Sequence, residues 1–120
     1  MKNKVLKILD CTLRDGGYYN NWDFDRDLVE LYLKSMEDAF IDVIEIGFRS
    51  PPKNSFMGPF VYSPDDYLES LPFPKNTLVG VMINANEYLK APIGPVEMLN
   101  KLFQPCEKSP VGLVRVAINF

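Results

Sequence analysis

Four apolar runs rich in β-branched residues mark the chain: Val5 to Cys11, Ile41 to Phe48, Leu78 to Ile83 and Leu113 to Ile118. Each is short and bounded by turn formers, so each predicts a strand. Between the first two, Leu28, Leu31, Tyr32, Ser35, Met36 and Ala39 recur at helical spacing, which predicts a helix over about residues 26 to 39. Asp27, with Glu30 three places on, gives it an acidic start of capping-box type. A second helix is expected from Ser63 or Pro64, with Asp65 and Asp66 in its first turn and a stop before Pro72. A third runs from about Pro95 to Phe103, with Pro105 beyond its end.

The resulting order, β-α-β-α-β-α-β, has connections of helix length, which require parallel strands joined by right-handed crossovers. The fold class is therefore α/β. The Pro-rich stretches Ser50 to Pro64 and Leu71 to Asn76 lie inside β-α-β units and are not linkers. Strand parity then separates an open sheet from a barrel. Ile44, Ile46 and Phe48 are expected to face outward against helices, with Val43, Glu45 and Gly47 inward. The third strand gives Val79, Val81 and Ile83 outward against Gly80, Met82 and Asn84 inward. The fourth gives Val114, Val116 and Ile118 outward against Arg115, Ala117 and Asn119 inward, and Asp10, Thr12 and Arg14 share one face of the first. Polar groups thus gather on one face toward the C-terminal strand ends, where α/β barrels carry their active sites, and an open doubly wound sheet explains this less well. A full barrel has eight such units and ~250 residues. Four strands predict about half of a TIM barrel, with residues 1 to 120 forming the N-terminal half of one catalytic domain and the end at Phe120 marking a truncation.

Composition narrows the chemistry. With 120 residues, 47% hydrophobic and 24% charged, the chain suits one globular domain. A net charge of -3 and a pI near 4.9, without a Lys/Arg cluster, argue against a nucleic-acid partner. The start MKNKVLKILD has too short an apolar run for a signal peptide, and nothing reaches transmembrane length, so no membrane partner is expected. Cys11 and Cys106 are expected as buried thiols of a reducing compartment, with the cytoplasm as default location. The chain has no histidine, which excludes His-based triads and zinc sites made by this chain alone. Catalysis must then use carboxylates, Arg, Lys or Tyr.

The stretch LDCTLRDGGYYNNWDF, residues 9 to 24, sets a guanidinium beside a carboxylate. Neighbours on a strand point to opposite faces, so Arg14 and Asp15 serve one site only where the strand ends and the backbone turns. Gly16 and Gly17 are placed to supply that turn, being free to adopt positive φ. A planar Arg can hold a carboxylate or an enolate oxygen in bidentate fashion, and the adjacent acid can bind a hard divalent cation. Together they would polarise a 2-oxo acid or a β-oxo thioester. The other reading is that Arg14 pairs with Asp10 or Asp15 and that DGG is an ordinary strand-to-helix turn.

DCTLRDGG at residues 10 to 17 resembles the D-x-T-L-R-D-G signature on the first strand of the HMG-CoA lyase-like metallolyases. That barrel superfamily includes 4-hydroxy-2-oxovalerate aldolase, isopropylmalate and homocitrate synthases, and pyruvate carboxyltransferase domains. IDVIEIGF at 41 to 48 and VRVAINF at 114 to 120 are similar to its second and fourth strands. The resemblance implies that Asp15 ligates a divalent metal ion (magnesium, manganese or zinc) and that Arg14 stabilises an enolate. It implies that Asp10 and Thr12 shape the substrate site and that Glu45 sits close to Arg14 and orients it. An internal ion pair without catalytic duty is the other reading of Glu45. Tyr18 stands where the aldolase branch carries a histidine thought to act as base. An unperturbed tyrosine titrates near ~10, so this residue would need tuning to serve. The family's remaining metal ligands come from a His-x-His absent here, so the isolated chain is expected to bind metal weakly and to be inactive.

Other residues are read more broadly. Tyr19, Asn20, Asn21 and Trp22 are read as a rim above the site, with Trp22 and Phe24 as an apolar lid under a loop the favoured alternative. The loop Arg49 to Tyr62, with Arg49, Lys53 and Asn54, either grips an acidic substrate or a CoA phosphate or is simply solvated. Asn84, Asn86 and Asn119 stand at strand ends where substrate contacts fall. The expected function is a metal-dependent carbon-carbon lyase or aldolase acting through an enolate on a small-molecule substrate, a 2-oxo acid or an acyl-CoA. The alternative is a non-catalytic barrel relative serving ligand binding or assembly. Unpaired edges of a half barrel predict self-association.

Overall fold

A computed structural model describes residues 6 to 119. Four strands, β1 (Leu9–Asp10), β2 (Val43–Phe48), β3 (Leu78–Asn84) and β4 (Val111–Ala117), form one all-parallel sheet in the order β1-β2-β3-β4. Helices α1 (Thr12–Gly16), α2 (Arg26–Asp38), α3 (Pro59–Tyr62), α4 (Asp65–Glu69), α5 (Ala85–Leu89) and α6 (Pro95–Leu102) occupy the connections. Sequential neighbours joined in parallel through helical crossovers are the α/β units of a partial barrel.

The two most periodic segments fold as expected. On α2, Val29 and Leu33 bury completely, while Arg26–Glu30 and Lys34–Glu37 pairs lie on its solvent side. Its capping box does not form: Asp25 is the N-cap without a side-chain bond, and Glu30 is drawn to Arg26. The helix expected from Ser63 or Pro64 starts one residue later, at Asp65, and α3 precedes it. Between them the buried Ser63 takes a left-handed φ of 41°, its hydroxyl donating to Phe60 O over 3.2 Å. The helices α3 and α5 span little more than one turn each, too short for a helical period to register in the sequence.

The first strand is shorter than its apolar run. Only Leu9 and Asp10 pair with β2, and from Thr12 the backbone is helical; Val5 lies outside the described residues. Asp10 ends the strand, because its Oδ1 accepts the Thr12 N–H at 2.9 Å and its Oδ2 accepts the Thr12 hydroxyl at 3.0 Å, a local turn that competes with the ladder. Asp10, Thr12 and Arg14 therefore do not line one strand face.

The second strand departs from strict alternation. Its register against β3 shifts between Glu45 and Gly47, so one extra residue enters the strand. Glu45 bonds the Arg14 guanidinium and Phe48 lies under it, two positions that uninterrupted alternation would set on opposite faces. Phe48 is thus turned to the inner side, opposite to its expected orientation. Gly47 turns toward α3, where an added Cβ would meet Phe60 O at 2.2 Å, so glycine is required by close approach.

Ile44, Ile46, Val29, Leu33, Phe60, Leu68 and Val81 form the centre of the core, all essentially without exposure. Fully burying each such side chain contributes about 1.5–3 kcal/mol. Trp22 and Phe24 join this core, as the lid reading expects. Val114, Val116 and Ile118, expected against helices, are 42%, 52% and 60% exposed, because no described element packs over that side of β4. The cysteines also differ from expectation: Cys11 is half-buried and Cys106 is exposed in a 3-10 turn (Cys106–Lys108). Among the described residues no helix is long and apolar enough to cross a membrane.

Candidate active site

The site grows from the bend after β1. Arg14 sits on α1, and its backbone is fixed from beneath: the Trp22 indole Nε1–H donates to Arg14 O over 2.7 Å. Trp22 reaches that position through a left-handed backbone at Asn21 and Trp22, with φ of 57° and 58°. Gly17 is the residue that admits the ring. An added Cβ there would lie 2.1 Å from Trp22 Cδ1, whereas one at Gly16 would meet nothing within 4 Å. Neither glycine uses positive φ: both have φ of -89°. Close packing, rather than backbone freedom, is what Gly17 supplies.

Glu45 on β2 lies at the centre. Its side chain is completely buried and accepts from two guanidiniums. Arg14 Nε donates to Oε1 at 2.9 Å, and Arg115 of β4 donates through Nε to Oε2 at 2.5 Å and through Nη2 to Oε1 at 2.9 Å. Burial alone would raise the Glu45 carboxyl, but the bonds from Arg115 and Arg14 outweigh it and hold it below the usual carboxylate range. Burial also works against the charge on Arg14, yet Glu45 keeps that guanidinium more firmly protonated than usual. Arg115 is raised chiefly by its hydrogen bond to Glu45. The three side chains form one permanently charged array, with Phe48 5.7 Å below the Arg14 guanidinium carbon.

Asp15 follows Arg14 but faces outward. Its side chain is 73% exposed, with Oδ1 3.6 Å from Arg14 Nη1. Asp10, by contrast, is half-buried and held in place: beyond its two bonds from Thr12, Oδ1 accepts the Tyr32 hydroxyl at 2.5 Å. Burial and then Asp10 push the Tyr32 hydroxyl well above the usual tyrosine range. Among the described residues no group of three or more His, Cys, Asp or Glu side chains gathers that could hold a metal ion. A divalent cation needs several oxygen ligands, so the described residues do not by themselves fit one.

Tyr18 and Asn84 come together at a neighbouring cleft of about 180 Å³, whose lining also includes Trp22, Phe48, Lys53 and Glu87. Tyr18 is two-thirds exposed, its ring set edge-on to Trp22 at 4.6 Å. Asn84 ends β3 and stands at the N-cap position of α5 without a side-chain bond to it. Lys53 donates to Glu87 Oε2, and Glu87 Oε1 has no hydrogen-bond partner among the described residues. Asn119 lies beyond β4, exposed and outside any element, and Asn86 is exposed on α5. Arg49 is not part of a solvated loop. It is 2% exposed, donates to Ser63 O and Asp65, and stacks on Phe103 at 4.8 Å, so it fastens α4 to the end of β2.

Sequence reasoning placed Arg115 on the inner face but did not assign it to the site. The signal was there: a lone arginine among the apolar residues of a strand calls for an anionic partner, and Glu45 on β2 was one of two inward acids, with Asp10. The roles of Trp22 and Phe48 around Arg14 had no such signal, because both depend on a left-handed bend and a bulge.

No family model matches the chain, and no curated protein matches it. Among solved structures, the crystal structure of the "N-terminal domain of a putative aldolase" from Bacteroides vulgatus matches with 41% identity and a TM-score of 0.79. The match covers 94% of this chain and 36% of that one, so this chain spans about a third of the length of the protein it resembles.

Proposed function

We propose that this chain supplies the enolate-stabilising part of an aldolase or lyase that makes or breaks a carbon-carbon bond beside a carbonyl, with a 2-oxo acid or an acyl-CoA as substrate. The observation that carries the reading is the Arg14–Glu45 pair: a guanidinium fixed by a fully buried carboxylate at the C-terminal side of the sheet. The 41% identity to the Bacteroides vulgatus domain points to the same class of chemistry. As the bond breaks, negative charge develops on the carbonyl oxygen. Arg14 answers that charge with N–H groups not engaged by Glu45, already oriented and needing no reorganisation. Glu45 acts through Arg14, holding the plane of the guanidinium. Asp10 and Thr12 maintain the bend from which Arg14 projects. Tyr18 takes the proton-transfer role in this reading, and Asn84 contacts the substrate in the adjoining cleft. Asp15 is the one exposed acid beside Arg14 and would offer a single ligand to a divalent ion completed by other groups.

The test is enolisation in the protein as its gene encodes it, followed as deuterium exchange into the methyl groups of pyruvate and of acetyl-CoA, with and without manganese. Exchange should occur with one of them and fall about 100-fold in Arg14→Met, with partial recovery in Arg14→Lys. Exchange unchanged by Arg14→Met, or absent with both substrates, would overturn the reading.

A further inference from the structure

We infer that Arg115 is a second anion-binding guanidinium of this site, holding the carboxylate of a short 2-oxo acid next to the carbonyl that Arg14 serves. The inference rests on the enolate reading and chooses between its two substrate classes.

Two guanidiniums share one carboxylate here. Arg115 Nε and Nη2 are occupied by Glu45, while Nη1 has no hydrogen bond among the described residues; Arg14 likewise spends only Nε on Glu45. Both arginines reach the same oxygen, Oε1, each over 2.9 Å, so their forks lie side by side. Glu45 is the carboxylate that Arg115 contacts, while the exposed Asp15 approaches only Arg14, its Oδ1 3.6 Å from Nη1. Arg115 is also the more accessible of the two, with 44% of its side chain exposed against 13% for Arg14.

The sheet explains how the pair forms. Glu45 and Arg115 stand two strands apart, and the β3 residue opposite Glu45 is Gly80, which leaves the inner face between them clear. Arg115 pairs with Met82, closer to the C-terminal strand ends than Glu45. Its free edge therefore lies on the side from which substrate enters in α/β barrels.

Substrate chemistry completes the argument. A 2-oxo acid carries a carboxylate one bond from its carbonyl, so its enolate bears two negative charges on adjacent groups. Two adjacent guanidiniums match that pattern in bidentate fashion. A thioester has no charge beside its carbonyl and would leave Arg115 without a role.

The experiment compares binding of pyruvate with that of pyruvamide, its neutral isostere, by ligand-detected NMR titration of the protein as its gene encodes it. The wild type should prefer pyruvate by about tenfold, the factor that a hydrogen-bonded charge contact carries. Arg115→Met should erase that preference and Arg115→Lys should keep part of it. If Arg115 only positions Glu45, Arg115→Met would weaken both probes equally and the preference would survive, which overturns the proposal. So does a wild type that binds the two equally, a result that stands even where Arg115→Met fails to fold. Because binding is read without turnover, a wild type that lacks the preference but keeps methyl exchange refutes the role of Arg115 alone. Absent exchange with intact preference refutes the enolate reading alone.

Discussion

Arg14 Nε and Glu45 Oε1 meet at 2.9 Å across 31 residues of sequence, and the glutamate side chain has no solvent exposure. A buried carboxylate is tolerated here because two guanidiniums saturate it. Glu45→Gln keeps the shape but leaves Arg115 without a counter-charge and Arg14 with only the exposed Asp15, and an amide cannot accept through both ends. Removing the shared carboxylate of such an array costs about 2–4 kcal/mol, less than for a fully enclosed pair because Arg115 is partly hydrated. Urea denaturation should show that loss, and a midpoint equal to wild type would contradict the central position given to Glu45.

The same array sets a pH dependence. Folding lowers the Glu45 carboxyl below its ordinary 4.5, and Asp65 falls below 3.8, where the bonds from Gln104, Arg49 and Ser109 outweigh its burial. A depressed carboxyl stabilises the fold fully above its unfolded value and loses that contribution as pH falls through the folded one. Wild-type stability should therefore be steady above about pH 5 and drop below it. Glu45→Gln should show a shallower drop, measured by urea midpoints across the acid range. Parallel curves for the two proteins would show that Glu45 titrates alike in both states.

Gly17 and Gly16 offer an internal control. Both have α-region backbone, so alanine strains neither, but only at Gly17 would a methyl collide with the Trp22 ring. Gly17→Ala should destabilise by about 1–3 kcal/mol through overpacking. Gly16→Ala should be neutral or slightly stabilising, by less than about 1 kcal/mol. Trp22 is the single tryptophan, so its fluorescence should change in the first variant and stay unchanged in the second.

Which parts of this were legible beforehand follows from the range of the forces involved. The strands β2 and β3 and the helices α2 and α6 were visible because hydrophobic period is a local signal carried over many residues. The inward placement of Glu45 followed from strand parity, and its approach to Arg14 from the resemblance carried by DCTLRDGG. The inward turn of Phe48 was not visible, because a single-residue bulge flips every position beyond it and leaves the composition of the strand unchanged. Arg49 was misread for a related reason. It follows an apolar strand and precedes two prolines, so it reads as loop, yet its partners Ser63 and Asp65 are supplied by a segment fourteen and sixteen residues away. The early end of β1 lay in side-chain bonds from Thr12 to Asp10, which compete with the strand ladder at a position whose apolar pattern still favours it.

Asp15 gives a prediction about metal. With one exposed carboxylate and no gathered set of donors among the described residues, most coordination positions on a divalent ion bound here would fall to water. Manganese should bind the 120-residue chain no tighter than about millimolar, and Asp15→Asn should weaken it further. Isothermal titration showing micromolar affinity would mean that other oxygen donors of this chain converge on Asp15.

Arg49 and Arg14 should separate stability from activity. Arg49 donates to Ser63 O through Nη2 and Nε, at 2.5 Å and 3.2 Å, and to Asp65 Oδ1 at 2.7 Å, and its guanidinium stacks on Phe103. Replacing it with methionine leaves a buried carbonyl and a partly buried carboxylate short of donors, a cost of about 3 kcal/mol. Arg14→Met is milder for the fold, because Arg115 still holds both oxygens of Glu45. The loss there should be about 1–2 kcal/mol. Enolisation should rank the two variants the other way: Arg49→Met should keep near-normal methyl exchange at temperatures where it is folded, and Arg14→Met should lose it. An Arg49→Met protein that is fully folded but inactive would place Arg49 in the chemistry and not in the clamp between β2 and α4.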